Sequence, residues 1–251
     1  MANNGLNGGS TKPGKTFTTL VFDLGGVLVD WNPAYLYRTI FPDEKERNWF
    51  LSTVCTLDWN EEQDAGRSLQ EGTEYLVKKF PEHEASIRAY YGRWKEMLGG
   101  PIHETVEIFR QLRFGAEPRA SEVTTNGPTN DVNAPETSEV VPTENETGSR
   151  PRMKLYALTN WSAETFPVAL ELYEFLHWFD GRLVSGEEMI RKPSPDIYRL
   201  LIDRFSIRPE EAIYVDDNLR NVLPARELGF YGIHFRSPEQ FRKELVELGV
   251  I

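Results

Sequence analysis

A chain of 251 residues has the length of one large domain, or of a core domain carrying a smaller module. Its 39% hydrophobic and 27% charged residues supply a sizeable core, and a net charge of −11 argues against nucleic acid or an anionic membrane as the main partner. No window approaches the roughly 18 apolar residues of a membrane span, no secretory signal is visible, and the single Cys55 excludes an internal disulfide, so a soluble, cytoplasmic protein is expected.

Residues 1–16 are rich in Asn, Gly, Ser and Lys and read as a disordered tail. The first strand is expected over Thr18–Phe22. Residues 32–98 then show helix-compatible apolar spacing, through Tyr35, Leu36, Ile40, Trp49, Phe50, Leu76 and Phe80, and no good strand. Asn32-Pro33 opens that stretch as an N-cap followed by proline at the first helical position. A helical module is therefore expected directly after the first strand. Ile102, Val106, Phe109 and Leu112 mark the apolar face of a further helix.

Residues 115–150 contain no aromatic, Leu, Ile or Met, and carry seven acids against two arginines. Such a segment cannot bury enough apolar area to offset its chain entropy, and it reads as a disordered insertion at a surface turn. Beyond it, short β-branched or aromatic runs predict strands at Lys154–Leu158, Arg182–Val184, Ala212–Val215 and Tyr231–Phe235. Between them lie helical faces formed by Ile197, Leu200, Leu201 and Phe205, and by Leu219, Val222 and Leu223. Gly229 stops the latter helix. Alternating strands and helices predict an α/β fold with a doubly wound parallel sheet, covering 17–31 and 99–251, interrupted by the 32–98 module.

Ligands gather at the carboxyl ends of strands in such a sheet. Asp23, Thr159-Asn160 and Asp216-Asp217 each follow a predicted strand, and Lys192 precedes Pro193 near a helix start. Carboxylates at two strand ends suit a divalent cation, most simply Mg²⁺ in an all-oxygen site. A hydroxyl, an amide and a lysine beside it suit a phosphate, leaving one carboxylate as a nucleophile.

With these residues in place, the chain resembles the haloacid dehalogenase superfamily. The matching pieces are Phe22-Asp23-Leu24-Gly25-Gly26-Val27-Leu28, Leu158-Thr159-Asn160, Arg191-Lys192-Pro193 and Val215-Asp216-Asp217-Asn218, in the family's order. The nearest resemblance is to its sugar-phosphate phosphatases of the glucose-1-phosphate type, with their helical cap. The resemblance implies Mg²⁺-dependent hydrolysis of a small phosphorylated metabolite through an aspartyl-phosphate, by a monomer or homodimer. It implies Asp23 as nucleophile and metal ligand, and Gly25 as a metal ligand through its carbonyl. Thr159 and Asn160 would bind phosphoryl oxygens, while Lys192 neutralises charge on phosphate and on Asp23. Asp217 would bind the metal directly, with Asp216 coordinating indirectly or orienting water, and Asn221 would support Asp217.

The departure lies at Gly25, where many phosphatases of the superfamily carry a second Asp as general acid and base, an absence that the resemblance implies is shared by its sugar-phosphate phosphatases. Gly25 is equally compatible with a 2-haloacid dehalogenase. Together with the acidic insertion, it is also compatible with a non-catalytic phospholigand sensor or scaffold.

Overall fold

The structure, a computed structural model, describes residues 16–115 and 152–251. The disorder expected over 1–16 and 115–150 thus falls, apart from Thr16 and Gly115, outside the described residues. Five parallel strands form the central sheet: β1 (Thr19–Phe22), β4 (Lys154–Thr159), β5 (Gly181–Val184), β6 (Ala212–Asp216) and β7 (Tyr231–His234), in the order β5-β4-β1-β6-β7. Their bounds fall within one residue of those read from the sequence. β1 is buried along its whole length, as a central parallel strand covered on both faces must be.

Side chains alternate between the two faces. Leu20 and Phe22 point into one core with Leu155, Ala157, Ile213 and Val215, under α6 (His103–Phe114) and α11 (Pro238–Glu247). Val21 points into the other, with Leu158 and Tyr214, under α9 (Pro195–Phe205) and α10 (Leu219–Glu227). The expected face of α10 is only partly correct: Val222 is buried, whereas Leu219 and Leu223 are 42% and 48% exposed. The inward positions of that helix are Asn221, Val222 and Ala225, because its start is tied to the polar end of β6.

Five helices lie between β1 and α6: α1 (Pro33–Ile40), α2 (Glu44–Thr53), α3 (Leu57–Asp64), α4 (Leu69–Lys79) and α5 (Glu84–Gly92). Asn32 caps α1 by accepting from the Ala34 N–H at 2.9 Å, and Ser68 forms a capping box with Glu71 on α4. Tyr37, Phe50, Trp59 and Tyr90 pack together at their centre. Cys55 is buried among them, which raises its thiol to about 12 and leaves it unreactive.

A two-stranded antiparallel ribbon joins this cap to the sheet domain, β2 (Val29–Trp31) against β3 (Leu98–Pro101). The sequence reading missed both, since Leu98-Gly99-Gly100-Pro101 carries almost no strand propensity. The pairing is set by tertiary context. Asp30 accepts from the Tyr35 hydroxyl at 2.6 Å, and a Cβ on Gly99 would overlap the Asp30 carboxylate. Among the described residues no helix is long and apolar enough to cross a membrane.

The chain leaves α6 at Gly115 and re-enters before β4, at the amino edge of the sheet. Both flanks meet at Asp180: Arg113 Nη1 lies 3.1 Å from one of its oxygens, and the Leu155 N–H donates to the other at 2.9 Å. Replacing residues 116–151 by a short Gly-containing turn is therefore expected to leave folding and kcat intact, since closure entropy varies only logarithmically with loop length. Circular dichroism and steady-state kinetics check this, and loss of either would assign that segment a role in the fold or the site.

Candidate active site

The carboxyl ends of β1, β4 and β6 meet because Phe22 pairs with both Ala157 and Val215. Asp23 leaves β1 there, its backbone N–H donating to the Val215 carbonyl at 2.8 Å. A tight turn follows. The Leu28 and Val29 N–H groups return to the Leu24 carbonyl, and the Leu24 N–H donates to Asp23 Oδ1 at 2.7 Å. Gly26 sits in that turn at φ +70°, and a Cβ there would overlap the Asp217 carboxylate, so only glycine is tolerated. Gly25 has open space where its Cβ would be and does not have a positive φ.

Lys192 is fully buried and binds three oxygens at once. Its Nζ lies 2.9 Å from Asp23 Oδ1, 2.7 Å from Asp216 Oδ2 and 3.0 Å from the Leu158 carbonyl. The lysine is held by Asn160. The Asn160 amide donates to the Lys192 carbonyl at 3.0 Å and its oxygen accepts from the Lys192 N–H at 2.9 Å. Both polar ends of Asn160 are thus committed to positioning Lys192, a use that strand-end placement alone did not reveal. Thr159 differs. Its hydroxyl is buried with no hydrogen-bond partner among the described residues.

Asp216 accepts from Lys192, from the Tyr214 hydroxyl at 2.6 Å, from the Asn218 N–H at 2.8 Å and from the Asn221 amide at 3.1 Å. Asn221 therefore supports Asp216, not Asp217 as expected. The turn into α10 directs its amide toward the end of β6. Tyr214 was invisible as a site residue, yet it lies two positions before Asp216 on the same face of β6.

The electrostatics follow from this crowding. Burial, then Asp216, push the Asp23 carboxyl well above the usual carboxylate range against the pull of Lys192. Burial and Asp216 raise Asp217. Burial would raise Asp216 too, but Lys192, the Tyr214 hydroxyl and the Asn218 N–H together outweigh it and hold that carboxyl below its ordinary value. Asp23, Asp216 and Asp217 bring one oxygen each within 4.8 Å of one another. Three carboxylates against one lysine leave two negative charges, which an oxygen-preferring divalent cation offsets. The donor set and the partnerless Thr159 hydroxyl fit Mg²⁺ beside a phosphoryl group.

The cap closes over this end of the sheet. Glu61 on α3 pairs with Arg191 at 2.7 Å and with Arg220 at 2.5 Å. The Ser185 hydroxyl donates to the Asp64 carbonyl at 2.5 Å, and the Leu69 N–H to Glu164 at 2.8 Å. Beneath lies a cavity of about 70 Å³, lined by Gly25 and Asn160 below, by Trp31, Trp94 and Trp161 around it, and by Asp64 above. Trp94 and Trp161 belong to the buried core and, with Trp31 packed against it, also wall the site.

Comparison with known proteins agrees with this geometry. A family model described as haloacid dehalogenase-like hydrolase matches residues 17–229. The sesquiterpene phosphatase astK of Aspergillus oryzae is 25% identical over 87% of this chain and 90% of its own length. The flavin mononucleotide hydrolase 1 of Arabidopsis thaliana is 28% identical over 39% of each chain. Among solved structures, the magnesium complex of a HAD family enzyme from Bacteroides thetaiotaomicron superposes with TM-score 0.62 at 16% identity, over 92% of this chain and 99% of that one. The L-2-haloacid dehalogenase of Xanthobacter autotrophicus gives 0.54 at 17% identity, over 94% and 85%. At such identities these two likenesses show the fold.

Proposed function

The chain belongs to the haloacid dehalogenase-like hydrolases, and from that membership we propose that it is a phosphatase that hydrolyses a small phosphomonoester through an aspartyl-phosphate on Asp23. The observation that carries the reading is the Lys192 clamp, which ties the nucleophile to Asp216 beside a partnerless Thr159 hydroxyl. Asp23 attacks phosphorus, the phosphorus–oxygen bond to the alcohol breaks, and water then cleaves the acyl-phosphate. Lys192 and Thr159 stabilise the charge that develops on the phosphoryl oxygens. Asp23, the Gly25 carbonyl and Asp217 would hold Mg²⁺, which supplies Lewis-acid activation of phosphorus. Asp216, saturated with donors, acts from behind by orienting Lys192 and the metal's surroundings.

The alternative of carbon–halogen cleavage is disfavoured, because the nucleophile Asp23 and the two carboxylates beside it, Asp216 and Asp217, repel one another without a cation. The polar Asn60, Asp64 and Asn160 set among tryptophans in the small cavity favour a small polar leaving group such as a sugar. A panel of phosphorylated metabolites, with p-nitrophenyl phosphate as general reporter, tests the reading. Turnover with Mg²⁺ that EDTA abolishes is expected. Chloride release from a 2-chloroacid without phosphate release would overturn it.

A further inference from the structure

The core carries no side chain at Gly25 to protonate the departing alcohol, yet an acidic residue of the cap lines the same cavity. Resting on the phosphatase reading above, we propose that Asp64, the last residue of α3, is the general acid and base of the reaction, supplied by the cap in place of the core. Four observations support it. Asp64 and Gly25 line the same small cavity, together with Asn160. The cap residue is fixed there rather than wandering. Its carbonyl is held by Ser185, and its carboxylate accepts from the Asn60 amide at 3.1 Å and from the Ser162 N–H. The aromatic walls, Trp31, Tyr91, Trp94 and Trp161, keep its surroundings apolar. The Asp23 clamp does not include it, so its proton is available.

Its ionisation suits the task. Burial, then the adjacent Glu61 carboxylate, push Asp64 up to about 7, against Arg191, the Ser162 N–H and Lys192. From α5, Tyr90 and Tyr91 are the titratable neighbours, both held neutral by burial. A group poised near neutrality serves as acid in one step and base in the next. In the first step Asp23 bonds to phosphorus, the bond from phosphorus to the ester oxygen breaks, and the Asp64 proton passes to that oxygen. In the second, the Asp64 carboxylate takes a proton from water as the water oxygen bonds to phosphorus and Asp23 departs. Phosphate leaves, and both carboxyls regain their starting forms.

The test separates the two steps by leaving group. kcat/KM reports alcohol departure, and an alkyl phosphate needs the acid far more than p-nitrophenyl phosphate does. Asp64→Asn is expected to lower kcat/KM about 100-fold or more for glycerol phosphate but only a few-fold for the aryl ester, within the 10²–10⁴ range of general acids. In the unsubstituted protein the alkyl kcat/KM should fall as pH rises through about 7, where the acid loses its proton, and Asp64→Asn should flatten that limb. Asp64→Glu should restore part of the rate. Gly25→Asp, for which the site has room, should rescue alkyl turnover in the Asp64→Asn background.

Equal losses on both esters with an unchanged pH profile would make Asp64 a cap anchor and overturn the proposal. So would a rate left intact by Asp64→Asn. Vanadate and Mg²⁺ affinities, measured alongside, should stay near those of the unsubstituted protein, and their collapse would likewise assign Asp64 a structural role. A failure of the phosphatase reading shows itself differently, as absence of turnover on every ester in the unsubstituted protein, and takes this proposal with it.

Discussion

Asp23→Asn is expected to abolish phosphate-ester turnover while leaving the fold standing. The amide keeps the shape but removes the attacking oxygen charge, so no acyl-phosphate forms. Without divalent cation, the variant should also be at least as stable as the parent at pH 7. The sign follows from the raised carboxyl of Asp23. A group whose pKa is higher folded than unfolded contributes stability below its unfolded value and loses it as pH rises through the folded value. At neutral pH, above its unfolded value, the buried Asp23 therefore burdens the metal-free protein, and Asn lifts that burden. Steady-state kinetics and urea melts in EDTA check both halves. Turnover that survives in Asp23→Asn would sink the covalent mechanism.

Lys192→Met should have the second large effect, on stability as well as rate. Lys192 is buried and faces Asp23 and Asp216 at 2.9 and 2.7 Å, so methionine would leave two carboxylates together in a low-dielectric site. Removing one member of a buried ionic group typically costs about 3–5 kcal/mol. Mg²⁺ should recover part of the stability, since it replaces some of the missing positive charge, but not the rate. Lys192→Arg is not expected to rescue, because the planar guanidinium does not fit a socket formed around one ammonium by Leu158, Asp23 and Asp216. Denaturant melts with and without Mg²⁺ give the answer. A methionine variant as stable as the parent would show that the clamp is electrostatically idle.

The sequence by itself determined the parts of this protein that are local. Buried parallel strands are short apolar runs, and their polar terminators, Asp23, Thr159 and Asp216, stand out because the pattern stops there. The Asn32 cap and the Gly229 stop were legible for the same reason, each being a property of a few consecutive residues. The family resemblance rested on those strand ends, and the fold and hydrolase class followed from it.

What tertiary structure decided is what depends on partners far along the chain. The β2–β3 ribbon pairs Asp30 with Gly100 across the whole cap, and no propensity in Leu98–Pro101 announces it. Asn221 turned to Asp216, and Asn160 to the Lys192 backbone, because hydrogen-bond direction is fixed only once the loops are packed. Asp64 is the clearest case. On the sequence it is one acid among several in a polar helix, forty-one positions from Asp23. Only closure of the cap, through Glu61 on Arg191 and Arg220 and through Ser185 on the Asp64 carbonyl, brings it half-buried into one cavity with Gly25 and raises its pKa. Desolvation is a property of surroundings, and those surroundings come from several separate stretches of chain.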